Sequence, residues 1–423
     1  MRSRLCATGV LAIAVLSGWS LSWCASQRPS NRSTWGRILV IGDEQESQRG
    51  RDFAELYDPA TNRFAVRRPA MKNGRNSASA TVIRSGPNAG KVLITGGFSE
   101  GHGGPLTTTE LYDPATNRFI RGPNLSVDLD DHTATEIGSG SKAQWILVAG
   151  FETTNLYDPM RNRFVVGRPM IDQRAGHTAT VVTSGPDEGK ILFAGGILDN
   201  KPSNYSGRVT ELYDPVSNSF EVGAAMNTGR NNHTATVIPS GANAGKILLV
   251  GGWTDRTVKK DVSIPVSLAS TELYDAATRS FAQPNMTATL KAARAFHTAT
   301  VISLGPNAGG ILIAGGQRDD ENPLSSTEIY DPATNSFKPG PAMHSPRSQH
   351  AAIVIASGSN AGKILIAGGM ELGCYSVKRG CAPVLLSSTE IYDPTTNTFT
   401  PGPEMHGAPG QTLAIQLPPA PLR

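Results

Sequence analysis

Two kinds of side chain recur along this 423-residue chain at spacings that could build a site. Five arginines, Arg75, Arg174, Arg230, Arg294 and Arg347, each precede a short β-prone stretch. Gathered on one rim, their guanidinium groups would suit a carboxylate or an acidic sugar. The competing reading pairs each with a recurring glutamate: Glu110, Glu211, Glu272, Glu328 and Glu390. In one copy Asp128, Asp130 and Asp131 break the pattern, so such a rim would be electrostatically lopsided. Five histidines, His132, His177, His233, His297 and His350, open the same stretches. Metal ligation needs nitrogens about 2 Å from one ion, and histidines one repeat apart stand too far from each other. A hydrogen bond to backbone within its own repeat is the expectation for each, and neither a metal nor another cofactor is expected.

Chemistry could also sit where the repeats differ. Stretches 98–108, 197–209, 253–270, 317–326 and 370–388 vary in length and content. They hold the aromatics Tyr205, Trp253 and Tyr375, the pair Lys259–Lys260, the acidic run Asp319–Asp320–Glu321, and two cysteines, Cys374 and Cys381. Variable loops on a rigid scaffold are where binding usually resides. In an oxidising compartment the two cysteines suggest one disulfide, worth about 2 kcal/mol in the chain-entropy account; two free thiols are the alternative. No phosphate-binding loop, dinucleotide fingerprint, zinc-protease helix or nucleophile elbow occurs.

The elements that must position these residues come from repetition. Leu/Ile-Tyr-Asp occurs seven times, with Tyr at 57, 112, 157, 213, 274, 330 and 392. An apolar run ending in Gly precedes each copy, such as Lys190 to Gly196 or Lys363 to Gly369. A Phe follows each copy, and then a stretch such as His177-Thr-Ala-Thr-Val-Val182. Each unit therefore holds four short strands. The His-Thr-Ala-Thr stretch alternates, whereas the Lys-Ile-Leu run does not and needs cover on both faces. Asp-Pro-Ala-Thr-Asn supplies a hairpin turn, with Pro fixing φ and Asn able to enter the left-handed region. Gly36 to Gly42 is a second-type strand with no first-type strand before it, and Gln411 to Leu417 is a first-type strand left over at the end. Together they complete one unit. The expected fold is all-β: a seven-bladed β-propeller of four-stranded antiparallel blades, closed by the C-terminal strand pairing into the N-terminal blade.

The order Gly-Gly, Tyr-Asp, aromatic, then Met and Arg before the next strand resembles the kelch repeat, over about residues 36–417. Phe stands throughout where that family has Trp, and Ala149-Gly150 and Gly42-Asp43 depart from Gly-Gly. The resemblance extends to the central propeller of galactose oxidase-like proteins. It implies that the His-Thr-Ala-Thr strands are innermost. It leaves function open among protein-binding platforms, sugar-binding modules and enzymes. A copper oxidase would need two Tyr, two His and a Cys-Tyr crosslink, and only Tyr205 and Tyr375 lie outside the repeat. An isomerase of acidic sugars would suit an arginine rim, although no specific motif supports it.

Composition bounds the rest. There are 39 Lys+Arg against 35 Asp+Glu, a net charge of +4, with no basic block, which is a poor nucleic-acid footprint. Residues 1–26 read as a signal peptide: Arg2 and Arg4, an apolar Leu5 to Trp23, then small residues. Trp23 before Cys24 argues against lipidation. Residues 27–35 read as a linker and 418–423 as a tail. The expectation is a monomer, secreted, periplasmic or at the cell surface, without a membrane span after cleavage. Its function would be non-catalytic binding of a protein or glycan through the Gly-Gly-loop face, with a sugar-active enzyme at the central channel as the alternative.

Overall fold

The structure is a computed structural model that describes residues 34–44, 51–65, 71–197, 207–259, 262–319, 322–376 and 380–421. Residues 1–26 and Tyr205 lie outside these. The described chain folds into seven four-stranded antiparallel sheets. Blade 1 combines Leu413–Gln416 with Ile38–Glu44, Arg51–Asp58 and Arg63–Phe64. The C-terminal strand pairs with the first one from Ile38↔Gln416 to Ile41↔Leu413. The innermost strands of blades 2 to 7 are Ser79–Val82, Thr133–Glu136, Thr178–Val181, Thr234–Val237, Thr298–Val301 and Ala351–Val354. Each touches the innermost strand of the blade on either side, and the last touches Leu413–Gln416, so the ring is closed. The propeller and its closure are as the sequence indicates.

Burial follows the radial order of the strands. Second strands such as Ile191–Ala194 are buried at every position. Innermost strands such as Thr178–Val181 are half-buried at every position because one face borders the channel. Outer strands such as Ser219–Val222 are mostly exposed. The core is divided among the interfaces between blades. Val182, Leu192 and Leu212 of blade 4 pack against Ile247, Leu249 and Tyr274 of blade 5, and a comparable cluster fills each of the other interfaces. Burial of each such side chain is worth about 1.5–3 kcal/mol, and each blade draws on two neighbours for it. The glycine pairs make this approach possible. A Cβ on Gly195 would lie 2.2 Å from the Arg230 carbonyl oxygen of the next blade, and Gly195 has φ +68°. Three of the variable loops are themselves hairpins: Phe98–Ser99 with Gly104–Pro105, Trp253–Lys259 with Val262–Ser267, and Met370–Ser376 with Gly380–Leu385.

Polar contacts lock the opposite face, and they are not the same in every blade. The buried repeat tyrosines reach an amide of the preceding blade: Tyr57 meets Asn360, Tyr157 meets Asn88, Tyr330 meets Asn243 and Tyr392 meets Asn307. Blade 1 lacks the corresponding turn, and Thr34 stands in, its hydroxyl 2.7 Å from that of Tyr112. Between blades 4 and 5 the amides are replaced by a charge pair. Fully buried Asp187 takes the place of the asparagine, and Arg279 takes the place of the hairpin asparagine. They meet at 2.5 Å, with Lys190 at 2.9 Å from the same carboxylate.

Asp187 is buried while the Arg279 side chain is half-exposed, and a buried carboxylate that loses a cation is left undercompensated. Arg279→Asn is therefore expected to lower the urea midpoint, and adding Asp187→Asn to recover most of the loss. Urea denaturation of the two single variants and the double variant measures this coupling. Additive losses would show that the pair does not act as a unit.

Candidate functional site

The five arginines do not form a rim open to ligand. Arg75, Arg174, Arg230, Arg294 and Arg347 are at most 1% exposed. Each guanidinium is consumed inside its own blade. Arg75 donates through Nη1 to the carbonyls of Gly96 (2.7 Å) and Thr108 (2.9 Å), and through Nη2 to Glu110 at 3.1 Å. Arg174 pairs with Glu211, Arg230 with Glu272, Arg294 with Glu328 and Arg347 with Glu390. Each of these glutamates also accepts backbone N–H groups from the segment just before the arginine, as Glu110 does from Lys72 and Asn73. An acidic ligand would have to displace a buried carboxylate, so the alternative pairing with glutamate holds. Blade 3 has lost both partners together, with Leu129 in the arginine position and Asn155 in that of the glutamate.

The histidines reach beyond their own blades. Each bonds a threonine of the neighbouring blade, and His177, His297 and His350 also face the backbone of Arg174, Arg294 and Arg347 in their own. Nε2 of His177, His233, His297 and His350 lies 2.9–3.1 Å from Oγ1 of Thr133, Thr178, Thr234 and Thr298. His132 reaches Thr95 at 2.8 Å. The imidazoles thus stitch blade to blade around the channel. Among the described residues no cluster of His, Cys, Asp and Glu is arranged to hold a metal.

Directly before each histidine, and before Ala78 in the same place of blade 2, lies the position that sequence reasoning missed. Ser77, Asp131, Gly176, Asn232, Phe296 and Gln349 all have positive φ, between 45° and 64°. Five of the six are not glycine, and a phenylalanine there is a genuine outlier that surrounding contacts must hold in place. Those contacts are a belt of main-chain hydrogen bonds around the channel mouth. Asp131 N–H donates to the Ser77 carbonyl (3.2 Å), Gly176 to Asp131 (3.1 Å), Asn232 to Gly176 (2.9 Å), Phe296 to Asn232 (3.2 Å) and Gln349 to Phe296 (3.0 Å). Thr412 N–H continues the belt to the Gln349 carbonyl at 3.0 Å. The Gln411 side chain closes it, its Oε1 accepting from the Ser77 N–H at 2.7 Å. The signal that could have found these residues is their variability: one unlike residue inside an otherwise repeated string.

The mouth opens into a cavity of about 180 Å3 lined by Ser77, Ala78, Asp131, His132, Gly176, His177, Asn232, His233 and Gln411. The residues after the glycine pairs flank it. Phe98 bridges to Asn76, Ile197 to Ala175, Trp253 to Asn231 and Met370 to Ser348. Of the predicted site residues, only Trp253 is thereby brought to the mouth with its side chain described. Its ring meets Phe296 edge-on at 5.0 Å, and its indole N–H is buried without a partner. The side chain of Tyr375 lies outside the described structure, as do those of Cys374 and Cys381, although the strand register sets the two cysteines opposite each other.

A Kelch motif matches residues 308–344 and 346–406. Many solved chains share the architecture. One, described as "Structure of YjhT", is 11% identical, with a TM-score of 0.49, covering 74% of this chain and 98% of its own. No curated protein matches the sequence.

Burial, reinforced by the adjacent arginine, holds His132 at about 4 and His177 and His350 at about 3, with His233 and His297 also well below the ordinary range. In the unfolded chain these imidazoles titrate near 6.5. Between about pH 6.5 and 4 the unfolded state therefore binds up to five more protons than the folded one. Stability is full above that window and falls as the solution is acidified through it. The urea midpoint should stay level from pH 7 to 8 and drop from about pH 6.5 downward, with His233→Gln reducing the slope by about one proton. A level midpoint down to pH 5 would exclude this account.

Proposed function

We propose that this kelch-motif propeller is an exported, non-catalytic binding module that takes the end of a glycan chain at the mouth of its central channel. One observation carries the reading. The cavity is lined by hydroxyl, amide and carboxylate side chains whose backbone is fixed by the belt. It is about the size of one small ring, and the Trp253–Phe296 pair stands beside it. Polyhydroxylated ligands are recognised by oriented polar groups together with an aromatic surface that covers the apolar face of a sugar ring. The cavity imidazoles are held by threonines of adjacent blades, which favours a positioning role over proton transfer. Export is supported by the order of residues 1–26. It agrees with a Cys374–Cys381 disulfide, for which the facing backbone positions are suited.

Two measurements test this. On a glycan array the purified protein should retain a defined set of oligosaccharides, and Asn232→Ala and Phe296→Ala should each weaken binding roughly tenfold, the cost of one good polar or stacking contact. Retention of no glycan would refute the reading. Separately, the protein recovered from its producing cells should have lost about the first 26 residues and be two hydrogens lighter than its reduced form by intact mass. A full-length, reduced chain would refute export.

A further inference from the structure

The charge at the mouth is one-sided. Asp131 is the one formally charged residue among those lining the cavity, apart from the imidazoles. Its carboxylate is exposed and makes no ion pair or hydrogen bond among the described residues. Asp128 and Asp130 lie beside it, also without a cationic partner among the described residues. Burial and the neighbouring Asp131 push Asp130 upward. The five repeat arginines that could have balanced them are buried and matched by their own glutamates. In this blade the arginine is absent altogether, replaced by Leu129. The other lining groups can receive a sugar without charge. The Asn232 amide uses its Nδ2 on Asn231, which leaves its oxygen able to accept. Gln411 spends its Oε1 on Ser77, which leaves its NH2 able to donate.

Resting on the reading of the mouth as a glycan site, we propose that it selects an amino sugar whose amine is free and protonated, with the ammonium group bound by Asp131. Neutral hydroxyls of the same ring are held by Asn232 and Gln411. An N-acetylated sugar loses the ammonium and leaves Asp131 without a partner, and an acidic sugar is repelled.

The probes are a glucosamine tetramer, its fully N-acetylated twin and a galacturonate tetramer, titrated calorimetrically against the intact protein just below neutral pH at low salt. The expected result is roughly tenfold or greater preference for the glucosamine tetramer over its twin, as one charge-assisted hydrogen bond provides. This preference should shrink as salt is raised. Asp131→Asn should abolish the preference, bringing the glucosamine tetramer's affinity down to about that of its acetylated twin. Asparagine tolerates positive φ, so the belt is kept, and an unchanged urea midpoint confirms that the fold is intact. Equal binding of the two tetramers, or tighter binding of galacturonate, overturns the amino-sugar inference and leaves the mouth as a glycan site. Binding of none of the three, together with an empty glycan array, overturns both.

Discussion

A sheet that is apolar on both faces has to be covered on both, and here the only cover available is another sheet of the same kind. That constraint organises the molecule. The second strands are buried along their whole length, and their side chains fill clusters that belong to pairs of blades. A blade alone would expose two apolar surfaces, and a row of blades would expose one at each end. Closing the row removes both, which is why the strand Leu413–Gln416 sits inside the first blade and why Thr34 fills the place of a turn that blade does not have.

Against this background the arginine–glutamate pairs are internal braces. Each arginine ties the glycine at the end of its second strand to the start of its third, and its glutamate fixes the segment leading into the blade. The backbone carbonyl of the same residue accepts from the glycine of the preceding blade, as Arg230 does from Gly196. One residue therefore serves both the inside of a blade and the joint between two. Blade 3 dispenses with the brace by losing both partners at once, as expected if a half-pair is worse than none. The Asp187–Arg279 pair sets a charged contact on the other face, at the joint between blades 4 and 5.

The fold was legible because its determinants are residue types at fixed spacing: the Tyr-Asp copies, the glycine pairs and the orphan strand at each end. The site was much less so. Arg75 and its counterparts could be read as a rim or as braces, and the choice turns on burial and on which carbonyls face the guanidinium, neither of which residue type reveals. The reach of each histidine to a threonine of the neighbouring blade went unread because the two are adjacent only once the blades stack. The mouth residues went unread for a different reason. Ser77, Asp131, Asn232, Phe296 and Gln349 share a backbone conformation and no chemistry, so nothing in their identity groups them.

The belt around the channel is built almost wholly from peptide groups, with the Gln411 amide at its one junction. Main-chain bonding is indifferent to what each residue carries beyond its Cβ. Selectivity can therefore drift at these positions while the propeller stays as it is, and the same scaffold could be turned to new ligands by exchanging a handful of side chains on a rigid collar.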